Sequence, residues 1–145
     1  MEKITIENYQ KHVMRTCLPS EKNWDYATFR LDAGYFKLLA KLYDYEAKKI
    51  RDGVDFNKAK YLDQIKDEIG YNFWFIALNC ELREVQFAEI FNWTGKFVYK
   101  EDYAYWLSKV CEQFNFDINE ILQRNIEKLA SRAERGVLKG SGDER

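Results

Sequence analysis

KAKYLDQIKDEIGYNFWFIALNCEL, residues 58–82, decides the fold class. Ile65, Ile69, Phe73, Ile76 and Cys80 recur in it at helical intervals, the spacing of side chains on one face of an α-helix. The stretch predicts a helix from Lys58 to about Leu82. Upstream, Leu31, Tyr35, Leu38, Leu42 and Tyr45 keep the same period and predict a helix from about Tyr26 to Ile50, stopped by the turn chemistry of Asp52-Gly53. Downstream, FNWTGKFVYKED (91–102) breaks the pattern at Thr94-Gly95 and reads as a loop or a short hairpin. Helical spacing resumes with Tyr103, Trp106, Leu107, Val110 and Phe114. A last helix follows, with Ile118, Ile121, Leu122, Ile126 and Leu129 as its apolar face. Asp117 stands three residues before Glu120, as in a capping box, and Gly136 follows the final turn. A single proline fits this reading. The fold class is all-α, with four or five helices.

Length and charge narrow the rest. The 145 residues suffice for one domain with a real core. Its 23 basic and 24 acidic residues nearly cancel, which argues against a broad polyanion-binding surface and so against nucleic acid as a partner. No segment has the apolar length of a membrane span, and MEKITIENYQ lacks the apolar region of a signal peptide. Neither a membrane nor export is expected, so the location is read as cytoplasmic. Cys17, Cys80 and Cys111 are odd in number and widely spaced, which excludes a disulfide framework or zinc knuckle and makes them small core residues. His12 is read as a surface residue. The aromatic content, 17%, is heavy for one small core and points to a subunit interface as well.

Two phrases carry the functional reading. DAGY (32–35) and EIGY (68–71) each place an acid three residues before a tyrosine, so Asp32 with Tyr35 and Glu68 with Tyr71 share a helix face. On the last helix, Asn125, Lys128 and Arg132 form one polar stripe, and Lys37 and Lys41 give the first long helix a basic one. Lysine and arginine suit phosphate oxygens, arginine bidentately. GSGD (140–143) has the composition of a backbone anion nest.

Taken together these segments resemble the MazG-like nucleoside triphosphate pyrophosphohydrolases. ITIENYQKHVMRT (4–16) looks like that family's opening segment, and YATFRLDAGYFKLLAKL (26–42) and DEIGYNFWFIA (67–77) look like its two acidic-motif helices. NIEKLASRAERGVLKGSGDER (125–145) is similar to the ending of small stand-alone members, which are frequent in phage genomes. The resemblance implies a MazG-like helical bundle that is oligomeric, a dimer or tetramer, formed by one domain over residues 1–145. The chain is then expected to be complete, with an aromatic-rich insertion within about 83–115 and a polar tail over 136–145.

The family binds magnesium through an E-x-x-E…E-x-x-D quartet, and the resemblance places Asp32 and Glu68 on the first acid of each pair and Tyr35 and Tyr71 on the second. A second register, counted back from NFDINEIL, puts Tyr99 and Asp102 at the latter pair, but EIGY is the better local match. A phenol with a pKa near ~10 is neutral at pH 7 and a poor magnesium ligand. The expected function is therefore a catalytically degenerate member that binds a nucleotide without hydrolysing it. Tyr35, Lys37, Lys41, Tyr71, Asn125, Lys128 and Arg132 are the binding residues, and no cofactor is expected. In a phage such a protein would sequester a host immune signalling nucleotide in the host cytoplasm. The alternatives are an active magnesium-dependent pyrophosphohydrolase using Asp32, Glu68 and Asp102, and a helical oligomer that serves as a protein-interaction module.

Overall fold

The computed structural model of the chain describes residues 2–91 and 99–136, with the backbone alone for 99–102. Six α-helices follow in order: α1 (Tyr9–Thr16), α2 (Trp24–Asp52), α3 (Lys58–Leu82), α4 (Phe87–Ile90), α5 (Tyr99–Gln113) and α6 (Ile118–Glu134). Short 3-10 turns at Pro19–Glu21 and Gly53–Asp55 complete the regular structure, and no strand occurs among the described residues. Side-chain oxygens start three helices. Asn23 accepts the Tyr26 amide at 3.0 Å, Asn57 the Lys60 amide at 3.2 Å and Asp117 the Asn119 amide at 3.0 Å. The last differs from the expected capping box, because Glu120 turns to Lys66 (3.5 Å) instead of back to the cap. Gly136 ends α6 with φ +69°, a left-handed conformation that glycine adopts without steric cost.

α3 is the axis of the molecule. From Glu68 to Cys80 every side chain except Tyr71 is buried, and all five other helices pack on it. A helix apolar on all sides must be enclosed on all sides. α2 runs antiparallel to it, and two asparagines set the register. Asn72 donates to the Gly34 carbonyl at 3.1 Å and to its own helix at the Glu68 carbonyl, 2.8 Å. One heptad on, Asn79 repeats the device with the Ala27 carbonyl (3.3 Å) and the Phe75 carbonyl (2.8 Å). Small residues at 27 and 34 let the helices approach closely enough for these bonds. The Tyr103 hydroxyl donates to Asn72 Oδ1, which ties α5 to the same point.

Three expectations change. α1 was not anticipated, and it turns Tyr9, His12 and Val13 inward. His12, read as a surface residue, is 4% exposed, with Nε2 3.4 Å from Glu2 and Nδ1 3.1 Å from Arg15, so it is a core residue held by polar neighbours. The third change concerns residues 91–102: 99–102 already belong to α5, while 92–98 lie outside the described residues. In the stretch read as an insertion, α5 buries Tyr103, Ala104, Leu107, Val110 and Cys111. Cys80 is buried and Cys17 half-buried. Burial pushes the thiols up, Cys17 to about 11 and Cys111 to about 12.

A Cβ added at Gly34 would stand 2.6 Å from Asn72 Oδ1, on a side chain held by three hydrogen bonds. Gly34→Ala is expected to cost about 1–3 kcal/mol by overpacking, read as a lower urea midpoint. An unchanged midpoint would contradict the close approach of α2 and α3.

Candidate functional site

α6 lies along a second face of α3, in the same direction, and polar groups meet at this seam. Asp67 accepts from Arg124 Nε and from Lys128 Nζ, each at 2.7 Å. Burial alone would raise the Asp67 carboxyl, but the hydrogen bonds and charges of Arg124 and Lys128 outweigh it and hold the group below the usual carboxylate range. Arg124 is raised in turn, chiefly by its bond to Asp67. One turn along α3, the Tyr71 hydroxyl meets Arg132 Nη2, and two of the three cations of α6 sit near its ring, Arg132 at 5.3 Å and Lys128 at 5.9 Å. Gly70 makes room between them: a Cβ there would stand 3.2 Å from the Asn125 Cβ. Asn125 is buried, and its Oδ1 accepts from Tyr9 at 2.7 Å.

The stripe read along α6 is thus real as a helix face, and it packs on α3. Arg132 is 1% exposed, so it is an internal residue behind Tyr71. Lys128 pairs with Asp67 and not with the glutamates of its own helix. Arg124, one turn before Lys128, and Asp67, one residue before Glu68, were missed. Their signal was an i,i+4 pair of cations facing an acid on the neighbouring motif helix.

The residues of the first phrase go elsewhere. Tyr35 is half-buried and its ring lies 5.3 Å from Tyr103 and 5.2 Å from Trp106, in an aromatic cluster with α5. Asp32 is half-buried, Lys37 exposed and Lys41 half-buried, all on α2. Glu68 is buried on α3 beside Asn72. The two motif tyrosines therefore have different neighbours, Tyr35 those of α5 and Tyr71 those of α6. The side chains of Tyr99 and Asp102, and all of GSGD, lie outside the described residues.

Magnesium needs several hard oxygens in octahedral array. Among the described residues no three carboxylates, imidazoles or thiols converge to hold a metal. With Tyr35 among rings and Tyr71 on Arg132, the donor set there does not fit the family's ion. At the α3–α6 seam a tight crevice is lined by Lys66, Asp67, Gly70, Tyr71, Arg124, Asn125 and Lys128, with no enclosed room for even a water molecule. It is no pocket for a whole small molecule, which needs ~300–1,000 Å³. No helix among the described residues is long and apolar enough to cross a membrane.

No family model matches the chain, and no solved structure does. Over 44 residues it is 39% identical to the Gene 37 protein of Mycobacterium phage L5, a match that takes in 30% of this chain and 39% of that protein. The chain therefore spans well under half the length of this relative.

Asp67→Asn is expected to destabilise the fold by about 1–2 kcal/mol at pH 7, since both cations are partly exposed and solvent screens part of the pairing. The carboxyl is held low in the folded state. Its contribution is therefore complete above the unfolded value of ~3.9 and is lost as pH falls through the lower folded value. Denaturation midpoints of wild type and variant should converge on acidification. A gap equal at pH 3 and pH 7 would exclude the ion pair as its cause.

Proposed function

We propose that the chain binds the phosphates of a nucleotide at the α3–α6 seam and does not hydrolyse it. The observation that carries this reading is the imbalance of the cleft: Lys66, Arg124 and Lys128 line it with one carboxylate, Asp67, among them. Asp63 and Glu120 stand farther out, 3.9 Å from Arg124 and 3.5 Å from Lys66. A phosphate at the mouth of the crevice completes the coordination of Arg124 and Lys128, both partly exposed there, each of which gives Asp67 a single bond. Tyr71, bonded by Arg132, offers its ring edge beside them, so Arg132 is a positioning residue in this reading. The phosphates lie across the mouth, because the floor of the crevice is closed, and the base lies beyond them.

Phosphoanhydride hydrolysis needs a metal or a base to activate water. The MazG-like resemblance supplies such a quartet only where both second acids are present, and here they are Tyr35 and Tyr71. The role that follows is sequestration, and the short phage relative supports a phage setting. In that setting the ligand is a host signalling nucleotide, held in the host cytoplasm. A second reading, an oligomeric interaction module, is favoured by the outer face of α2.

Calorimetry with a nucleoside triphosphate, with and without EDTA, tests the proposal. Binding is expected to survive the chelator, with no pyrophosphate released. Arg124→Ala and Lys128→Ala should each weaken it about tenfold or more, from the ~1.5–3 kcal/mol of a charge-assisted hydrogen bond. Asp67→Asn should tighten binding while destabilising the fold, because it removes the competing anion. Loss of binding in EDTA, or sustained pyrophosphate release, would return the chain to the hydrolases.

A further inference from the structure

α2 carries two heptad faces, and among the described residues only one of them is covered. Ala27, Leu31, Gly34, Leu38 and Tyr45 face inward and are buried. On the opposite side Phe29, Phe36, Tyr43 and Ile50 follow one another at seven-residue steps and are between 67% and 83% exposed. Four residues after each of the first three comes an alanine: Ala33, Ala40 and Ala47. Alternating three- and four-residue spacing held from 29 to 50 is the seam of a coiled coil, large at one core position and small at the other. Isolated exposed apolar residues need no explanation, but a continuous row of this length does.

We infer that this face is the dimer interface, with α2 of one copy packed in parallel and in register against α2 of a second. Three observations select that occupant. The inner face shows the same repeat already filled by a helix, α3, so the spacing is one that a helix fits. Area is the second. Three rings of roughly 150–250 Å² each, mostly exposed, with Ile50 and the alanines between them offer on the order of 600 Å² per copy, at the lower end of the ~600–1,000 Å² a side of specific interfaces.

Charge is the third and sets the direction. The residues flanking the seam on one side are Asp25, Asp32, Leu39 and Glu46, and on the other Arg30, Lys37, Asp44 and Arg51. In a parallel pair, each residue of the first edge faces the residue five positions further along the second copy. Glu46 then meets Arg51, both exposed, and Asp32 stands beside Lys37, while Arg30 lies over the Phe75 ring at 5.0 Å and takes little part. An antiparallel pair sets Glu46 against the acidic edge of the partner and Arg51 against its basic one. Arg51 and Glu46 now hold Asp52 (2.6 Å) and Lys49 (3.2 Å) on the surface, exchangeable contacts in high dielectric.

The full-length chain should sediment as a dimer at micromolar concentration. Phe36→Glu with Tyr43→Glu, both at exposed positions, should keep the helical circular dichroism of wild type and weaken dimerisation at least a hundredfold. Glu46→Arg should weaken it, and adding Arg51→Glu should restore it, which only the parallel pairing predicts. Phe29→Cys and Ile50→Cys, made separately at the two ends of the seam, should each oxidise to a symmetric disulfide dimer, with wild type as the control for the native thiols. A monomeric wild type, a dimer indifferent to Phe36→Glu/Tyr43→Glu, or failure of both cysteine variants to cross-link would overturn the inference.

Discussion

Two amide side chains, Asn72 and Asn79, hold the register on which the other contacts depend. Each spends both of its N–H groups on carbonyls, one on α2 and one on α3. A one-residue slip of α2 would leave buried amides without acceptors, and an unsatisfied buried amide costs about 1–3 kcal/mol. Apolar packing alone tolerates such slips, because Leu31, Leu38 and Tyr45 find similar surroundings at neighbouring registers. Here a polar pair inside an apolar interface turns attraction into a defined alignment. From that alignment follow the approach of Gly34 to Asn72, the tether from Tyr103 and the placing of Tyr35 among the rings of α5.

The faces of α3 are unequal. Toward α2 it offers apolar residues punctuated by amides, and toward α6 a row of charge: Lys66, Asp67 and Tyr71 against Glu120, Arg124, Lys128 and Arg132. The guanidinium of Arg132 is enclosed, and Tyr71 gives it one oxygen and an aromatic face in place of water. The polarity of this seam therefore has a structural share, and a ligand at the cleft draws on groups that already brace the fold. α2, by contrast, makes its contacts with α3 on its inner side, and Phe29, Phe36, Tyr43 and Ile50 on its outer side are exposed.

Much of the fold was legible in the chain. α3 has the bounds expected, Lys58–Leu82, and α2 exceeds its expected span by two residues at each end, because Asn23 caps it early. Strong periodicity made both visible. α1 was hidden because YQKHVMRT is short and mostly polar, and its inward side consists of Tyr9, His12 and Val13. Asn72 and Asn79 were invisible for a related reason: amides read as solvent-facing until a partner carbonyl is known. At the seam, spacing within one helix put Asn125, Lys128 and Arg132 on one face of α6 but could not show what that face meets. Pairings such as Asp67 with Arg124 span more than fifty residues, and only the packing of α3 on α6 brings them together. The outer row of α2, Phe29, Phe36, Tyr43 and Ile50, has the same seven-residue period as the inner one, so spacing alone does not tell which of the two is buried.

The sulfur atoms close the account in kinetic terms. With Cys111 pushed up to about 12 and Cys17 to about 11, the reactive thiolate form is scarce at neutral pH. Cys80 and Cys111 are also enclosed, one near the end of α3 and the other near the end of α5. Alkylation of these two sulfurs must wait for the helices to part. The chain thus contains a built-in clock: the rate at which a thiol reagent consumes Cys80 and Cys111, relative to Cys17, measures how often the core opens.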